Sequence, residues 1–213
     1  MPLDSVTPRP PKDIPIIFSE AMVRAQLADL KTQTRRLATS PLAKVQPGDR
    51  LWVRENHWLF GRWREDGKTG TGRVRRVFDK IGQTATFEKP GNDNMAYWGG
   101  GTGFTWKPAM HMPRWASRIT LVVEDVRFQR LQDITEEDAR AEGAEPCANG
   151  WWFDQSPVLA GCDARGAFYC LWNTLHDKPG ERWEDNPEIV ALGFAVHRCN
   201  IEGLPTQEAA HVT

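Results

Sequence analysis

Hydrophobic positions along this chain change their period several times, and each change predicts an element. Over "SEAMVRAQLADL" the residues Met22, Val23, Gln26, Leu27 and Leu30 recur at helical spacing, an apolar stripe broken only by Gln26. Ser19 stands where an N-cap hydroxyl belongs, so a helix over about 20–30 is expected. In "QPGDRLWVRE" a Pro-Gly-Asp turn feeds a period of two, with Leu51 and Val53 on one face and Trp52 and Arg54 on the other, the pattern of a strand. The same alternation returns through Ile119, Leu121 and Val123 and again through Val190, Leu192, Phe194 and Val196. It predicts a long strand and a final, half-buried core strand. Two helices lie between them. A short one over about 136–142 follows Thr135, with Asp138 making an approximate capping box and Gly143 supplying a left-handed stop. A longer one starts after Asp163 and carries Phe168, Leu171, Trp172 and Leu175 on one face, which should cover the sheet.

Residues 58–108 break this regularity. "GRWREDGKTGTGRVRRVFDKIGQTATF" reads as a basic hairpin with a glycine-rich tip, and "YWGGGTGFTWKP" as a flexible aromatic loop. The segment is an expected insertion in a single domain over 14–202, preceded by a loose proline-rich arm, 1–13, and followed by a patternless tail, 203–213. No internal repeat is present.

Composition narrows the classes. A chain of 213 residues, 40 % hydrophobic, can bury one sizeable core. Its 27 basic and 28 acidic side chains nearly cancel, so a nucleic-acid partner would have to be recognised by a local patch. The first residues have no apolar core of a signal peptide, and no apolar run approaches the roughly 18–20 residues that span a bilayer, so a soluble, cytoplasmic protein with no membrane partner is expected. Cys147, Cys162, Cys170 and Cys199 form no C-x-x-C pair, which suits reduced thiols, and the five histidines lie far apart. No metal and no cofactor is implied. Ten tryptophans are many for this length, enough for some to line a groove as well as the core.

Three stretches stand in a telling order around these elements: "LKTQTRR" (30–36), "PGDRLWVRE" (47–55) and "ITEEDARAEG" (134–143). With them the chain resembles the ASCH family of the PUA-like superfamily over about 14–56 and 111–200, and especially ASCH proteins of phages and prophages. The resemblance implies a mixed α/β fold, a PUA-like β-barrel with flanking helices, here carrying the long insertion at about 58–108. One departure is Asp29-Leu30, where the family usually has a glycine able to take a left-handed turn. Some small ASCH proteins remove the acyl group of N4-acetylcytidine with a lysine, a threonine three residues later and a glutamate in the short helix. Those positions are Lys31, Thr34 and Glu142.

The residue types suit that chemistry, since opening an amide needs a nucleophile, a base for its proton and an acid for the departing amine. Thr34 would attack, Lys31 would take its proton if burial or Arg35 and Arg36 lower the lysine pKa, and Glu142 would carry protons to the cytosine amine. A straight strand would send Lys31 and Thr34 to opposite faces, so the scheme requires a bend at Thr32-Gln33. The plainer alternative is that Lys31 and Thr34 cap a helix end and start a strand, with Glu142 solvated in the last turn. Arg35, Arg36 and Arg54 could bind a phosphate or stack on a base; Glu55 could read a cytosine amino group or pair with an arginine. Arg73, Arg75 and Arg76, interleaved with Trp63 and Phe78, have the composition of a phosphate-tracking surface, or of a solvated hairpin; Trp98 and Trp106 could close over a flat ligand. The expected function is binding of a modified pyrimidine nucleoside, RNA or DNA, with hydrolysis of an N4-acyl amide. The alternatives are a non-catalytic RNA- or DNA-binding module and, more distantly, a ribonuclease.

Overall fold

Five of the alternating segments pair into one sheet: β1 (Asp13–Ile17), β2 (Gln33–Leu37), β3 (Arg50–Arg54), β7 (Thr120–Arg130) and β11 (Glu188–His197), in the order β1-β3-β7-β11-β2. β1 runs parallel to β3, and every other pairing is antiparallel. The computed structural model describes residues 9–97 and 101–204 as a mixed α/β fold, mostly strands with three helices. Trp98 therefore lies outside the described residues, as do 1–8 and 205–213 of the expected arm and tail. Among the described residues no ladder joins β1 to β2, so hydrogen bonding does not close the sheet into a barrel. A side-chain bond from Arg36 Nη2 to the Ile17 carbonyl, 3.4 Å, reaches across that gap.

The period-two residues face where the alternation points. Leu51, Val53, Ile119, Leu121, Val123, Val190, Leu192 and Phe194 fill one core with Phe18 and Val23. The final strand is not half-buried, because it sits between β7 and β2 and its other face, Ile189 and Ala191, enters a second core against helix α3 (Ala164–Leu175). There Phe168, Leu171 and Trp172 are buried as predicted, but Leu175, in the last turn, is exposed. Asp163 caps this helix by accepting from the Gly166 N–H at 2.6 Å.

Helix α1 (Glu20–Leu27) starts as expected, Ser19 accepting from the Met22 N–H, yet it stops three residues early. Asp29 takes the left-handed φ of 59°, and the Leu30 and Lys31 N–H groups both turn back to the Ala25 carbonyl. Helix α2 (Glu136–Ala141) follows Thr135, and Gly143 ends it at φ 101°. The insertion is a separate three-stranded sheet, β4 (His57–Lys68) between β5 (Val74–Thr86) and β6 (Gly103–Lys107). β6 corrects the flexible-loop reading: "GFTWK" pairs with His57–Gly61 throughout. A small hairpin sheet, β8 (Glu145–Cys147), β9 (Gly150–Trp152) and β10 (Ala160–Gly161), packs on α3. The arm is also not loose from residue 9 onward, where Arg9 makes a two-point ion pair with buried Asp49. The four cysteines are free thiols, and no helix of the described chain is long and apolar enough to cross a membrane.

Candidate functional site

The α1 stop places Lys31 at the end of a short extended run, 31–37, and pins it to α2. Lys31 and Glu142 form an antiparallel bridge, Thr32 N–H donates to the Ala141 carbonyl at 2.9 Å, and Phe194 N–H donates to the Thr32 carbonyl at 2.9 Å. The Lys31 side chain is fully buried, and its Nζ donates to Glu142 Oε2 at 2.6 Å and to the Glu142 carbonyl at 2.9 Å. Arg35 Nη1 reaches Glu142 Oε1 at 3.1 Å, and Arg35 Nη2 lies 2.7 Å from Asp138 Oδ2. Asp138 Oδ1 in turn accepts from Arg127 Nη2 at 2.9 Å. Five charges of alternating sign, Lys31, Glu142, Arg35, Asp138 and Arg127, thus run from β2 through α2 to β7.

Desolvation explains the electrostatics. Burial pushes the Lys31 ammonium below its ordinary pKa of 10.5, Glu142 opposes that shift, and Arg36 and Arg35 reinforce it. Burial also pushes the Asp138 carboxyl up, but hydrogen bonding to Arg127 and the charge of Arg35 outweigh it and hold it below 3.8. Arg35 and Lys31 each gain an aromatic neighbour as well, the Phe168 and Phe18 rings, both at 5.8 Å.

The strand proper begins at Gln33, and Thr32 joins it to Lys31. Within the strand Gln33 and Arg35 share a face, Gln33 Oε1 accepting from Arg35 Nη1 at 2.6 Å. Thr34 Oγ1 accepts from Arg36 Nη1 at 2.7 Å, and the Arg36 guanidinium lies 5.3 Å from the Phe18 ring, the same ring that Lys31 Nζ approaches at 5.8 Å. Lys31 makes no hydrogen bond to Thr34 among the described residues. Lys31 and Glu142 are brought together, and Thr34 is held by Arg36, whose guanidinium shares the Phe18 ring with Lys31.

A cleft of about 800 Å³ opens beside the pair, between Met22 and Ala25 of α1, Leu171 and Leu175 of α3, and the Phe153–Gln155 turn, with Glu142 and Gly143 in its wall. Gly143 is the thin part of that wall, because a Cβ there would stand 3.3 Å from Ala25 Cβ and 3.4 Å from Lys31 Cβ. Arg24 joins Asp154 across one rim at 2.5 Å, and Asp154 and Gln155 hold left-handed φ values of 53° and 51°.

The remaining expected residues lie elsewhere. Glu55 is buried and forms a two-point ion pair with Arg118, 2.9 Å at each oxygen, so the pairing alternative describes it. Arg54 donates to the Met110 carbonyl and lies 5.3 Å over the Trp52 ring. On the hairpin, Arg75 pairs with Asp66, and Arg64 joins Asp66 and Asp79, so acidic partners offset part of the basic run; Arg73 and Arg76 are exposed there. Sequence reasoning missed Asp138 and Arg127. It also read Gln26 only as a flaw in a stripe, whereas Gln26 is fully buried with neither amide atom hydrogen-bonded among the described residues. That polar interruption of an apolar stripe was its visible signal. Comparison with protein families, with curated proteins and with solved structures yields no match to this chain.

Proposed function

We propose that this chain is an ASCH-type, PUA-like domain that binds a modified pyrimidine nucleoside, free or within nucleic acid, and hydrolyses the N4-acyl amide of an acylated cytosine. The observation that carries the reading is the buried Lys31–Glu142 contact, 2.6 Å, of which Glu142 lines a cleft of about 800 Å³ while Lys31 stands behind it. A cleft of that size takes a nucleoside. A lysine pressed below its ordinary pKa by burial gives up its proton more readily than an exposed one, and the carboxylate hydrogen-bonded to it is a path for that proton, as general acid–base catalysis demands. In the reaction an oxygen nucleophile adds to the acyl carbon, the bond to N4 breaks and N4 takes a proton; with water as nucleophile the acyl group leaves at once as a carboxylic acid, and with Thr34 it passes to the hydroxyl as an ester that a water then hydrolyses to the acid. Glu142 and Lys31 would relay that proton. Thr34 is the nucleophile if Arg36 releases its hydroxyl on binding; with Arg36 on that hydroxyl as observed, water activated by the Lys31–Glu142 pair fills that role.

The second reading, a non-catalytic module that holds a base in the same cleft, draws on one observation: Arg36, not Lys31, holds the Thr34 hydroxyl. Incubation with N4-acetylcytidine, and separately with an acylated oligonucleotide, followed by chromatography for the deacylated base and free acid, separates the two. Product formation that Lys31→Met and Glu142→Ala abolish supports the hydrolase. Absence of product alongside measurable binding leaves the module, and a fully active Thr34→Ala variant removes Thr34 as nucleophile.

A further inference from the structure

The inner face of the insertion sheet holds a second cavity, of about 310 Å³, lined by Leu59, Phe78, Lys80, Lys107 and His111. Its geometry follows from register: His57 pairs with Lys107, Gly61 with Lys80 and Trp63 with Phe78, so their side chains share one face. Lys107 Nζ sits 4.7 Å from the centre of the Phe78 ring and 5.2 Å from that of Trp63. The two rings fix the ammonium in place without neutralising it. Among the described residues no carboxylate forms an ion pair with Lys80, Lys107 or His111, and the acid next to Lys80, Asp79, is engaged by Arg64. His57 adds an independent sign. It is fully buried, its Nδ1 lies 3.2 Å from the Glu55 carbonyl, and its Nε2 has no hydrogen-bond partner among the described residues. Burial pushes its pKa down, the Glu55 carbonyl opposes that shift in part, and Lys107, Arg54 and His111 add to it. A half-buried lysine and a second lysine, with the His111 imidazole beside them and no carboxylate ion-paired to any of them among the described residues, line an open space that suits an anion.

We propose that this cavity is a binding site for a phosphate group, with Lys107 as its fixed cation, Lys80 and His111 at its mouth and the Phe78 ring beside them. The phosphate can come from a free nucleotide or from a nucleic-acid backbone, because both present the same oxygens to an ammonium. The site does not rest on the hydrolase reading, since none of its residues touches Lys31 or Glu142.

The test uses the full chain. Titration calorimetry with inorganic phosphate, cytidine and cytidine 5′-monophosphate, and fluorescence anisotropy with a labelled single strand of about ten nucleotides, cover both sources. Phosphate-bearing probes should bind and cytidine should not bind here. Lys107→Met should weaken phosphate-bearing probes about tenfold and Lys80→Ala about threefold, while Lys107→Arg should stay within about threefold of the wild type. The triple substitution Arg73→Ala, Arg75→Ala, Arg76→Ala should leave the monophosphate unchanged; an accompanying loss for the oligonucleotide alone would assign the source to a backbone running on to the hairpin. Lys80 is exposed, so its variant reports on the site even if Lys107→Met fails to fold. Failure of every phosphate-bearing probe to bind the wild type, or binding indifferent to both Lys107→Met and Lys80→Ala, overturns the proposal.

Discussion

Replacing Glu142 by glutamine tests whether the alternating chain of charges holds α2 to the sheet. The substitution keeps the volume and an oxygen for Arg35, but it removes the charge that faces Lys31, whose side chain is 0 % exposed against 3 % for Glu142. Taking one partner from a buried ion pair costs about 3–5 kcal/mol, mostly the penalty of the charge left behind. Lys31 has one escape, which is to lose its proton. Its ordinary pKa is 10.5, burial already lowers it, and each pKa unit is about 1.4 kcal/mol, so holding it neutral at pH 7 costs at most about 5 kcal/mol. The variant is therefore expected to lose about 3–5 kcal/mol in urea unfolding at pH 7. The pH dependence follows from proton counting. A lysine neutral in the fold and protonated in the unfolded chain makes the unfolded state the larger proton binder, so stability rises with pH until the unfolded lysine titrates near 10.5. The variant should climb more steeply than the wild type, whose Lys31 keeps its partner, and the gap should narrow by up to about 1.4 kcal/mol per unit above neutrality. A gap under about 0.5 kcal/mol at pH 7, or one equally large near pH 9, refutes the argument. The paired change Lys31→Met with Glu142→Leu should recover much of the loss, because both charges then leave together.

Two further perturbations address the frame around the site. Burial pushes the Asp49 carboxyl up, but Arg9 and the Lys12 and Gln46 N–H groups outweigh it and hold it below 3.8; its contribution is complete above that pH and lost as pH falls through the folded value, so Asp49→Asn should cost about 2–3 kcal/mol in chemical unfolding at pH 7 and progressively less as pH falls below 3.8. At Gly161 a Cβ would stand 2.3 Å from the Ala167 nitrogen and 2.5 Å from the Gly166 carbonyl carbon, both backbone, so Gly161→Ala should lower stability by about 2–3 kcal/mol, whereas Gly91→Ala, facing open space, should leave the thermal midpoint nearly unchanged.

Much of the sheet was legible because a period of two has one meaning once a face is buried: Leu51 and Val53, or Ile119, Leu121 and Val123, can only point into a core. Burial on both faces was not legible in β11. Ile189 and Ala191 are apolar too, and only its central place between β7 and β2 shows that both sets are covered. Asp138 hid its role for a different reason. Its backbone N–H takes the Thr135 hydroxyl, as a helix start demands, so its carboxylate seemed accounted for, while it reaches Arg35 and Arg127 on two strands distant in sequence. Local pattern reveals caps; it does not reveal which strands stand opposite them.

Asp29 shows where a sequence rule needs restating in physical terms. Without a glycine before Lys31, the sequence argued against a left-handed turn, because a Cβ costs about 1 kcal/mol or more there. The turn forms nonetheless, with Asp29 at φ 59°. Aspartate is among the few residues whose short polar side chain tolerates that region, and Arg198 pairs with it at 2.5 Å, an exposed contact that offsets only part of the cost. What the fold requires at this position is the conformation, since it brings the Leu30 and Lys31 N–H groups onto the Ala25 carbonyl and thereby sets the register in which Lys31 meets Glu142. A residue that takes the conformation at a modest cost preserves the site, and the expense appears as stability rather than as displaced geometry.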